Sequence, residues 1–337
     1  MTQGILLVGG MGTRLLPLTR SVPKPMLPVA GLPVTEHQLI TAQKAGITSI
    51  VLAASYLSEV FIPYFGDGSR WGIQLQYAVE TEPLGTGGAI RNAAKLLKEN
   101  ESIAIFNGDV LSSHNLHEQI RKHEEWQADV TLHLTKVKDA RAYGCVPTES
   151  DGRVTAFLEK MENPVADTIN AGCYIFSPRV LLDIPEDSVV SIERDTFPHL
   201  ISTGRKLYGF IDNSYWLDIG TPQTLLQGST DLVAGRAQSP ALERMDIDRH
   251  EGRYLAMTGS EIADSALLTG GTSIGRGAII ESGALVNASI VSDGSHILRE
   301  AKLDHCFVGE GVIVESGADY SHSYIGHEGV FTLIAGK

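Results

Sequence analysis

The first two thirds of the chain alternate short apolar runs with segments of helical periodicity. The apolar runs have the length and the Ile, Val and Leu content of buried strands. This alternation predicts an α/β fold with a mostly parallel sheet covered on both faces, whose ligands collect beyond the carboxyl ends of the strands. Strands are predicted at residues 4–8, 49–53, 74–77, 103–106, 130–134 and 171–176, and helices at 35–45, 87–97 and 116–126.

The pattern changes after residue 253. Apolar or small residues then recur six positions apart, with three steps that are one residue short, and Ile274, Val291, Val308 and Ile325 are each 17 residues apart. A six-residue rung with three rungs per coil predicts a short left-handed β-helix of the hexapeptide-repeat type, since one coil cannot bury its own apolar face. The alternative is an irregular β-rich tail. The polar segments 293–296 and 319–322 are interpreted as loosened corners. The recurring positions are Ile262, Leu268, Ile274, Ile280, Val286, Val291, Ile297, Leu303, Val308, Val314, Tyr320, Ile325 and Phe331.

A polar stretch, residues 235–253, separates the two patterns and contains Ser239-Pro240. We therefore predict a Rossmann-like α/β domain over residues 1–234, a linker over 235–253 and a β-helix domain over 254–337. A short stack of coils without an acyl-acceptor motif favours a scaffold over a second active site. A β-helix end or face also suits self-association, so a homo-oligomer is expected.

Composition narrows the classes of partner. The formal net charge of −13 provides no basic footprint for nucleic acid or for an anionic membrane. No apolar run reaches the length of a membrane span, and the first residues lack the basic region of a signal peptide. Cys145, Cys173 and Cys306 are far apart, which predicts reduced thiols in a cytoplasmic protein.

The most specific motif, GGMGTRLLPLTRSVPKPMLP, occupies residues 9–28 directly after the first apolar run. Glycine amides can form an anion-binding concavity, and Arg14 and Lys24 supply the positive charge that a triphosphate needs. The dinucleotide fingerprint is excluded by Leu15, and the Walker motif by Thr13-Arg14. The alternative is an ordinary strand-to-helix turn. The predicted nucleotide-binding residues here are Gly9, Gly10, Met11, Gly12, Thr13 and Arg14.

The whole string resembles the signature of the sugar nucleotidyltransferases, the nucleoside-diphosphate-sugar pyrophosphorylases. The resemblance implies a nucleotidyltransferase catalytic domain over residues 1–234, and members of this family often carry a carboxyl-terminal β-helix. Leu16 departs from the pattern, because many relatives have a basic residue there.

Two carboxylates are candidates for a metal site. Asp109 follows a predicted strand in Asn107-Gly108-Asp109, and Asp218 lies in a string that resembles the family motif W-x-D-x-G-T-P. Carboxylate oxygens suit Mg²⁺, although NGD alone is also a common turn. By resemblance, Asp109 and Asp218 hold Mg²⁺ and act with Arg14 and Lys24 as the catalytic residues.

Other segments resemble the family's sugar-phosphate site. By this resemblance Glu159 accepts from sugar hydroxyls, Lys160 holds the phosphate, and Asn170 contacts the sugar. Gly172 leaves room for the ring, and the backbone of Gly144 faces it. A carboxylate can accept two hydroxyl donors and an ammonium can bind a phosphate, but an isolated Glu-Lys pair is usually solvated surface.

The base-reading segment is predicted around Glu80, Glu82, Gly85 and Thr86. One carboxylate can accept from both N1–H and N2–H of guanine, whereas relatives that use pyrimidine nucleotides tend to carry a glutamine near Glu80. The run EPLGTGG resembles the mannose-1-phosphate guanylyltransferases of the family. The alternative is that both glutamates are exposed charges and that the backbone reads the base.

The resemblance therefore implies transfer of a nucleoside monophosphate from GTP to a sugar 1-phosphate, with mannose 1-phosphate favoured. The alternatives are a heptose or a cyclitol 1-phosphate such as that of valienol, glucose 1-phosphate with dTTP, or a non-catalytic regulatory homologue that binds a nucleotide sugar. No residue in the sequence decides the configuration at C2 of the sugar.

Overall fold

The computed structural model describes residues 1–10, 12–20, 22–55, 58–244, 247–250 and 253–333. Contacts group the chain into two units. The sheet unit comprises Met1–Gly10, Gln38–Val110 and His114–Trp216, and the β-helix unit comprises Met11–His37, Leu111–Ser113 and Leu217–Lys337. The domain boundaries at 234 and 253 stay predictions.

The sheet unit is built on a nine-stranded sheet. Its strands are β1 Thr2–Leu7, β2 Ser49–Ala54, β3 Gln74–Val79, β4 Ser102–Asn107, β5 Val130–Lys136, β6 Gly144–Cys145, β7 Leu158–Glu159, β8 Thr168–Phe176 and β9 Leu207–Ile211. All six predicted strands are present, as β1 to β5 and β8. The neighbour order is β7-β6-β8-β4-β1-β2-β3, and β5 pairs with β8 and β9. Pairing is parallel from β4 through β1 and β2 to β3, whereas β8 runs antiparallel to β4 and β5. The mostly parallel fold is thus confirmed, with an antiparallel flank.

Among the described residues there are six α-helices: α1 Val34–Lys44, α2 Phe61–Phe65, α3 Gly85–Ala94, α4 Leu116–Glu125, α5 Phe197–Ser202 and α6 Pro222–Val233. The three predicted helices are present as α1, α3 and α4. The side chain of Asn115 caps α4 by accepting from the amide of Glu118. Shorter helical turns are Thr13–Leu15, Lys24–Met26, Ser58–Val60, Ser69–Trp71, Pro178–Asp183, Ile192–Thr196 and Leu242–Arg244.

The strands of the nine-stranded sheet supply much of the apolar interior of the sheet unit. Ile5 and Ile105 come from the parallel strands, and Tyr174 and Phe176 come from β8; all four are fully buried. None of the helices among the described residues combines the length and the apolar character needed to cross a bilayer.

Successive coils of the β-helix unit stack through three sheets, which is consistent with the predicted left-handed β-helix. The registered pairs Ile274–Val291, Val291–Val308 and Val308–Ile325 stand at the predicted 17-residue spacing. The first sheet comprises Ile247–His250, Tyr254–Met257, Thr272–Ile274, Ile290–Val291, Phe307–Val308, Ser323–Gly326 and Gly329–Thr332. The second comprises Glu261–Ile262, Ile279–Ile280, His296–Ile297 and Ile313–Val314, and the third Leu267–Thr269, Leu285–Asn287, Lys302–Asp304 and Asp319–Ser321.

Most of the predicted inward positions form the interior of the coils. Ten of them, from Leu268 through Val314 together with Ile325, are at most 4% exposed, and Ile262 and Tyr320 are half-buried against the same core. The prediction is wrong for Phe331, because its strand Gly329–Thr332 turns back antiparallel to Ser323–Gly326 and its ring stacks on Tyr324. The interpretation of 319–322 as a loosened corner is wrong for Asp319–Ser321, which is a strand paired with Lys302–Asp304. Polar residues fit there because their neighbour on the inward face, Tyr320, supplies the apolar contact.

Four further short strands lie outside these sheets: Pro28–Val29, Leu32–Pro33, Val110–Ser112 and Trp216–Asp218. The segment predicted as a linker contains the turn Leu242–Arg244 and the strand Ile247–His250. The three cysteines are buried free thiols.

Candidate functional site

The glycine-rich segment turns tightly at Gly12. Its φ of 58° is left-handed, and a Cβ there would lie 3.0 Å from Thr19 Cγ2 and 3.1 Å from Lys24 Cβ. The hydroxyl of Thr19 donates to the carbonyl of Gly12 at 2.9 Å. Only glycine allows both the conformation and the close approach, so the turn draws the exposed Thr13 and Arg14 into the same small region as Lys24.

Lys24 is the buried cation of this segment. The side chain is only 10% exposed, and its Nζ lies 3.8 Å from Oδ1 of Asp218. Pro23 and Pro25 flank it at the start of the helical turn Lys24–Met26, and their fixed φ angles restrict the backbone there. A buried ammonium requires an opposite charge, and 3.8 Å is longer than a direct hydrogen bond, so the pair attracts without direct hydrogen bonding between these atoms.

Gly220 leaves room for a second cation, Arg14, near the carboxylate of Asp218. A Cβ at Gly220 would lie 2.7 Å from Nη2 of Arg14 and 2.9 Å from Oδ1 of Asp218. Any larger residue would therefore displace the guanidinium. The structure thus unites the predicted residues Arg14, Lys24 and Asp218 with Gly220, and we call these four residues the phosphate cluster. Gly220 was missed by the sequence interpretation, although it stands in the W-x-D-x-G-T-P string.

In the sheet unit, Gly9 and Gly10 follow β1. A Cβ at Gly9 would lie 2.7 Å from Ser55 Oγ, and Gly10 has a φ of 110° that favours glycine. Both residues are exposed, so their backbone is open to a ligand. The predicted contact of Met11 lies outside the described residues.

Asp109 stands in the turn after β4, half-buried. The turn touches the end of β1: a Cβ at Gly108 would lie 2.4 Å from the carbonyl oxygen of Leu7. Gln38 holds the turn from helix α1, since its Nε2 donates to the carbonyls of Asn107 at 2.8 Å and Val110 at 2.9 Å. Gln38 is thus a positioning residue for Asp109, and its place on a helix carried no sequence signal.

The predicted base-reading segment divides into a polar part and a packing part. Glu80 is half-buried, burial raises the pKa of its carboxyl, and its Oε2 accepts from the amide of Leu84 at 3.3 Å. Glu82 is exposed. A carboxylate at Glu80 is thus partly desolvated and held, which suits recognition better than a fully solvated charge.

The glycines of this run serve close packing against residues 188–190. A Cβ at Gly85 would lie 2.6 Å from the carbonyl oxygen of Val190, and one at Gly88 would lie 2.5 Å from that of Ser188. Thr86 joins the same contact: its hydroxyl donates to Glu193 at 2.9 Å and accepts from the amide of Ile192 at 2.8 Å. The segment 188–193 therefore anchors the start of α3. Within it, Glu193 supports the helix start by accepting the hydrogen bond from Thr86.

The predicted sugar residues come together in the sheet unit. Gly144 in β6 pairs with Glu159 in β7, and a Cβ at Gly144 would lie 2.9 Å from Oε2 of Glu159. The Glu159 side chain is 25% exposed, whereas that of Lys160 is 63% exposed and its Nζ stands 4.0 Å from Glu159. The strand pairing thus places one sheltered carboxylate beside an exposed ammonium.

A register shift in β8 positions the next two residues predicted to contact the sugar, Asn170 and Gly172. The pairing of β8 with β5 is irregular between Asn170 and Tyr174, and Gly172 within that stretch has a φ of 77°. The amide of Gly172 donates to Asn170 Oδ1 at 3.0 Å, and Asn170 Nδ2 donates to the buried Tyr174 hydroxyl at 2.8 Å. Irregularities of this kind change the direction in which side chains point. Here both the oxygen and the nitrogen of the Asn170 side-chain amide are hydrogen-bonded, which fixes its orientation. We call Gly144, Glu159, Asn170 and Gly172 the sugar cluster.

An aromatic pair near the sugar cluster was missed. The rings of Tyr143 and Trp216 meet edge to face with centroids 5.5 Å apart. Trp216 Nε1 donates to the carbonyl of Ala171 at 2.9 Å, next to Asn170 and Gly172. Tyr143 precedes Gly144 directly, so the pair connects β6 and β8, two of the three strands that carry the cluster. Its partners are far apart in sequence, and no local pattern links them.

The chemistry of the acidic residues fits a divalent cation. Asp218 keeps 28% of its side chain exposed beside the ammonium of Lys24, and Asp109 stands at the carboxyl end of a parallel strand. Carboxylate oxygens are hard donors that suit Mg²⁺ and similar ions. Asp109 belongs to the sheet unit and Asp218 to the β-helix unit.

Comparison with known proteins places these features in a family. A family model described as nucleotidyl transferase matches residues 3–235. The mannose-1-phosphate guanylyltransferase of Mycobacterium tuberculosis is 49% identical over 88% of this chain and 81% of its own length. The probable mannose-1-phosphate guanylyltransferase 3 of Oryza sativa is 34% identical over 96% of this chain and 86% of its own length. The crystal structure of HddC from Yersinia pseudotuberculosis complexed with GMP-PN matches with a TM-score of 0.58 and 28% identity, over 68% of this chain and 98% of that one.

Proposed function

The chain belongs to the nucleotidyl transferase family, and from this premise we propose that it transfers GMP from GTP to mannose 1-phosphate, giving GDP-mannose and pyrophosphate. The observation that carries the proposal is the phosphate cluster, in which a buried lysine and an arginine converge on one aspartate. The substrates are supported by two relatives, at 49% and 34% identity, that are named as mannose-1-phosphate guanylyltransferases.

In this reaction an oxygen of the sugar 1-phosphate attacks the α-phosphorus of GTP. The bond from that phosphorus to the oxygen bridging toward the β-phosphate breaks, and pyrophosphate leaves. The attacking phosphate is already anionic near neutral pH, so no general base is required. Catalysis then depends on alignment and on neutralising charge in the transition state.

The phosphate cluster supplies that neutralisation. Arg14 and the backbone amides of the glycine-rich segment bind the triphosphate. Lys24 is sheltered from water, so its charge is screened less and acts more strongly on the α-phosphate as negative charge develops there. Gly220 keeps the guanidinium of Arg14 in place by the absence of a side chain.

Asp109 and Asp218 are the residues that would hold the divalent cation, which we propose to be Mg²⁺. When bound, the ion supplies Lewis-acid neutralisation of phosphate oxygens. Gln38 contributes indirectly, by fixing the turn that carries Asp109.

The sugar cluster binds and orients the acceptor. Glu159 accepts from two sugar hydroxyls, Asn170 contacts a third, and Gly144 and Gly172 leave room for the ring. Lys160 holds the phosphate group as an exposed point charge. Glu80, and in second place Glu82, accepts from the two donors of guanine, with Gly85 and Thr86 shaping the start of α3. We further propose a cytoplasmic homo-oligomer, as expected from the sequence.

A pyrophosphate-release assay over a grid of nucleoside triphosphates and sugar 1-phosphates tests the proposal. The expected result is that GTP with mannose 1-phosphate exceeds every other pair in kcat/KM. Preference for a heptose or cyclitol 1-phosphate, or for dTTP with glucose 1-phosphate, would replace the substrate assignment. Absence of turnover across the grid, with tight binding of GDP-mannose, would favour the regulatory alternative.

A further inference from the structure

Away from both clusters, one corner of the β-helix repeats a left-handed residue in each coil. Gly271, Ala288, His305 and His322 stand 17 residues apart, with φ values of 81°, 46°, 52° and 45°. Each of the last three donates its amide to a carbonyl one coil earlier, at 2.9 to 3.1 Å. The corner is therefore a rigid backbone position, and in the last two coils histidine occupies it.

The two imidazoles lie one above the other. Their ring centroids are 5.0 Å apart with an interplanar angle of 20°. Asp304 precedes His305, and its Oδ1 lies 3.1 Å from Nδ1 of that histidine. One potential ligand atom from each of Asp304, His305 and His322 falls within 4.8 Å of the other two, and within the part of the chain that the structure describes no other trio of His, Cys, Asp and Glu does so.

A chain of hydrogen bonds orients the carboxylate from the earlier coils. Thr269 donates its hydroxyl to Asn287 Oδ1 at 2.9 Å, and Asn287 Nδ2 donates to Asp304 Oδ1 at 2.7 Å. This arrangement holds one carboxylate oxygen and leaves the other available. Outer donors of this kind commonly orient metal ligands.

We propose that Asp304, His305 and His322 form a binding site for a divalent transition-metal ion such as Zn²⁺, separate from the catalytic cation. Two imidazole nitrogens and one carboxylate oxygen are typical Zn²⁺ ligands, whereas Mg²⁺ prefers oxygen alone. The side chains of Asp304 and His305 are 48% and 47% exposed, so an ion can enter from solvent and retain water. Because His305 and His322 belong to successive coils, the ion connects them.

Calorimetric titration of the full chain with Zn²⁺, in excess Mg²⁺ to occupy the catalytic carboxylates, tests the site. We expect one strong site per chain, and about 100-fold weaker binding in the double variant His305→Asn, His322→Asn, because it loses two ligands. Asparagine tolerates the left-handed conformation, so the variant should fold. Zn²⁺ should also raise the midpoint of thermal unfolding of the parent protein and not that of the variant.

The matched control is His117→Asn, His327→Asn, which removes two exposed imidazoles outside the trio. It should bind Zn²⁺ like the parent protein, and Co²⁺ should give visible absorption bands in the parent and the control but not in the trio variant. Equal Zn²⁺ affinity in parent and trio variant would overturn the proposal. So would loss of binding in the control, or absence of a strong site in the parent.

Discussion

The phosphate cluster and the sugar cluster are built in opposite ways. The phosphate cluster lies on short helical turns and at the end of the short strand Trp216–Asp218, where glycine and proline bring Arg14, Lys24 and Asp218 together and charge dominates. The sugar cluster lies on strands, where pairing and a register shift place Glu159 and Asn170 among hydrogen bonds. One arrangement concentrates charge and the other arranges acceptors.

This difference predicts different kinetic consequences. Charge that acts on the transition state raises kcat, whereas contacts made equally to substrate and transition state lower KM. Substitutions in the phosphate cluster should therefore affect turnover most, and substitutions in the sugar cluster should affect acceptor KM most.

The largest effect is expected for Lys24→Ala. Loss of one preorganised charge in a water-excluded site should lower kcat by about 10³-fold. The assay is pyrophosphate release with saturating GTP and mannose 1-phosphate, with a thermal melt to check folding. Lys138→Ala, an exposed lysine outside both clusters, is the control and should leave kcat unchanged. Near-normal turnover in a folded Lys24→Ala protein would remove Lys24 from the mechanism.

Glu159→Gln should come next. A hydrogen bond to a charged acceptor contributes about 1.5–3 kcal/mol, so KM for mannose 1-phosphate should rise roughly 10- to 100-fold while KM for GTP stays the same. Steady-state kinetics with each substrate varied in turn separate the two constants. Glu162→Gln, which changes an exposed glutamate in the loop that follows β7, should behave like the parent protein. An equal rise in both KM values would contradict the division between the clusters.

Gly220→Ala should have a smaller effect that acts through Arg14. The added Cβ would overlap the guanidinium, which is the mobile end of an exposed side chain, so the arginine moves and the fold survives. We expect about a 10-fold fall in kcat/KM for GTP, within the range seen for a displaced charged contact. A double-mutant cycle with Arg14→Ala measures the coupling. Fully additive losses would show that Gly220 does not act through Arg14.

The smallest effect is expected for Glu80→Gln, which changes selectivity. The variant loses an acceptor for guanine and gains a donor that suits a pyrimidine, so the ratio of kcat/KM for GTP to that for UTP should fall several-fold, about 10-fold at most. Glu82→Gln is the comparison, and its exposed side chain predicts a weaker effect. A larger shift from Glu82 would transfer base recognition to that residue, and no shift from either would favour backbone recognition.

Much of the fold follows from local pattern, and what escaped prediction has identifiable physical causes. The 17-residue spacing placed Ile274, Val291 and Val308 in the interior because each coil repeats the same environment. Helix α6 was missed because it is buried around most of its surface, so its sequence lacks one apolar stripe. Its start is nevertheless marked by a capping box between Thr221 and Thr224.

Prediction of the candidate site from the sequence was limited in the same way, to features with a local pattern. The family motifs identified Arg14, Lys24 and Asp218, which the structure brings together. The contacts that depend on distant segments were not predictable: Gln38 on the turn of Asp109, and residues 188–190 against the glycines of α3. Repeat spacing marked His322 as part of a corner but gave no sign that it stacks on His305.

The most direct measurement is a crystal structure with GDP-mannose and Mg²⁺ bound, because this product carries groups for both clusters. The account predicts the diphosphate against Arg14 and Lys24, the mannose hydroxyls within hydrogen-bond distance of Glu159 and Asn170, and the ion on Asp109 and Asp218. A diphosphate bound away from Arg14 and Lys24, or a mannose that does not touch Glu159, would contradict it.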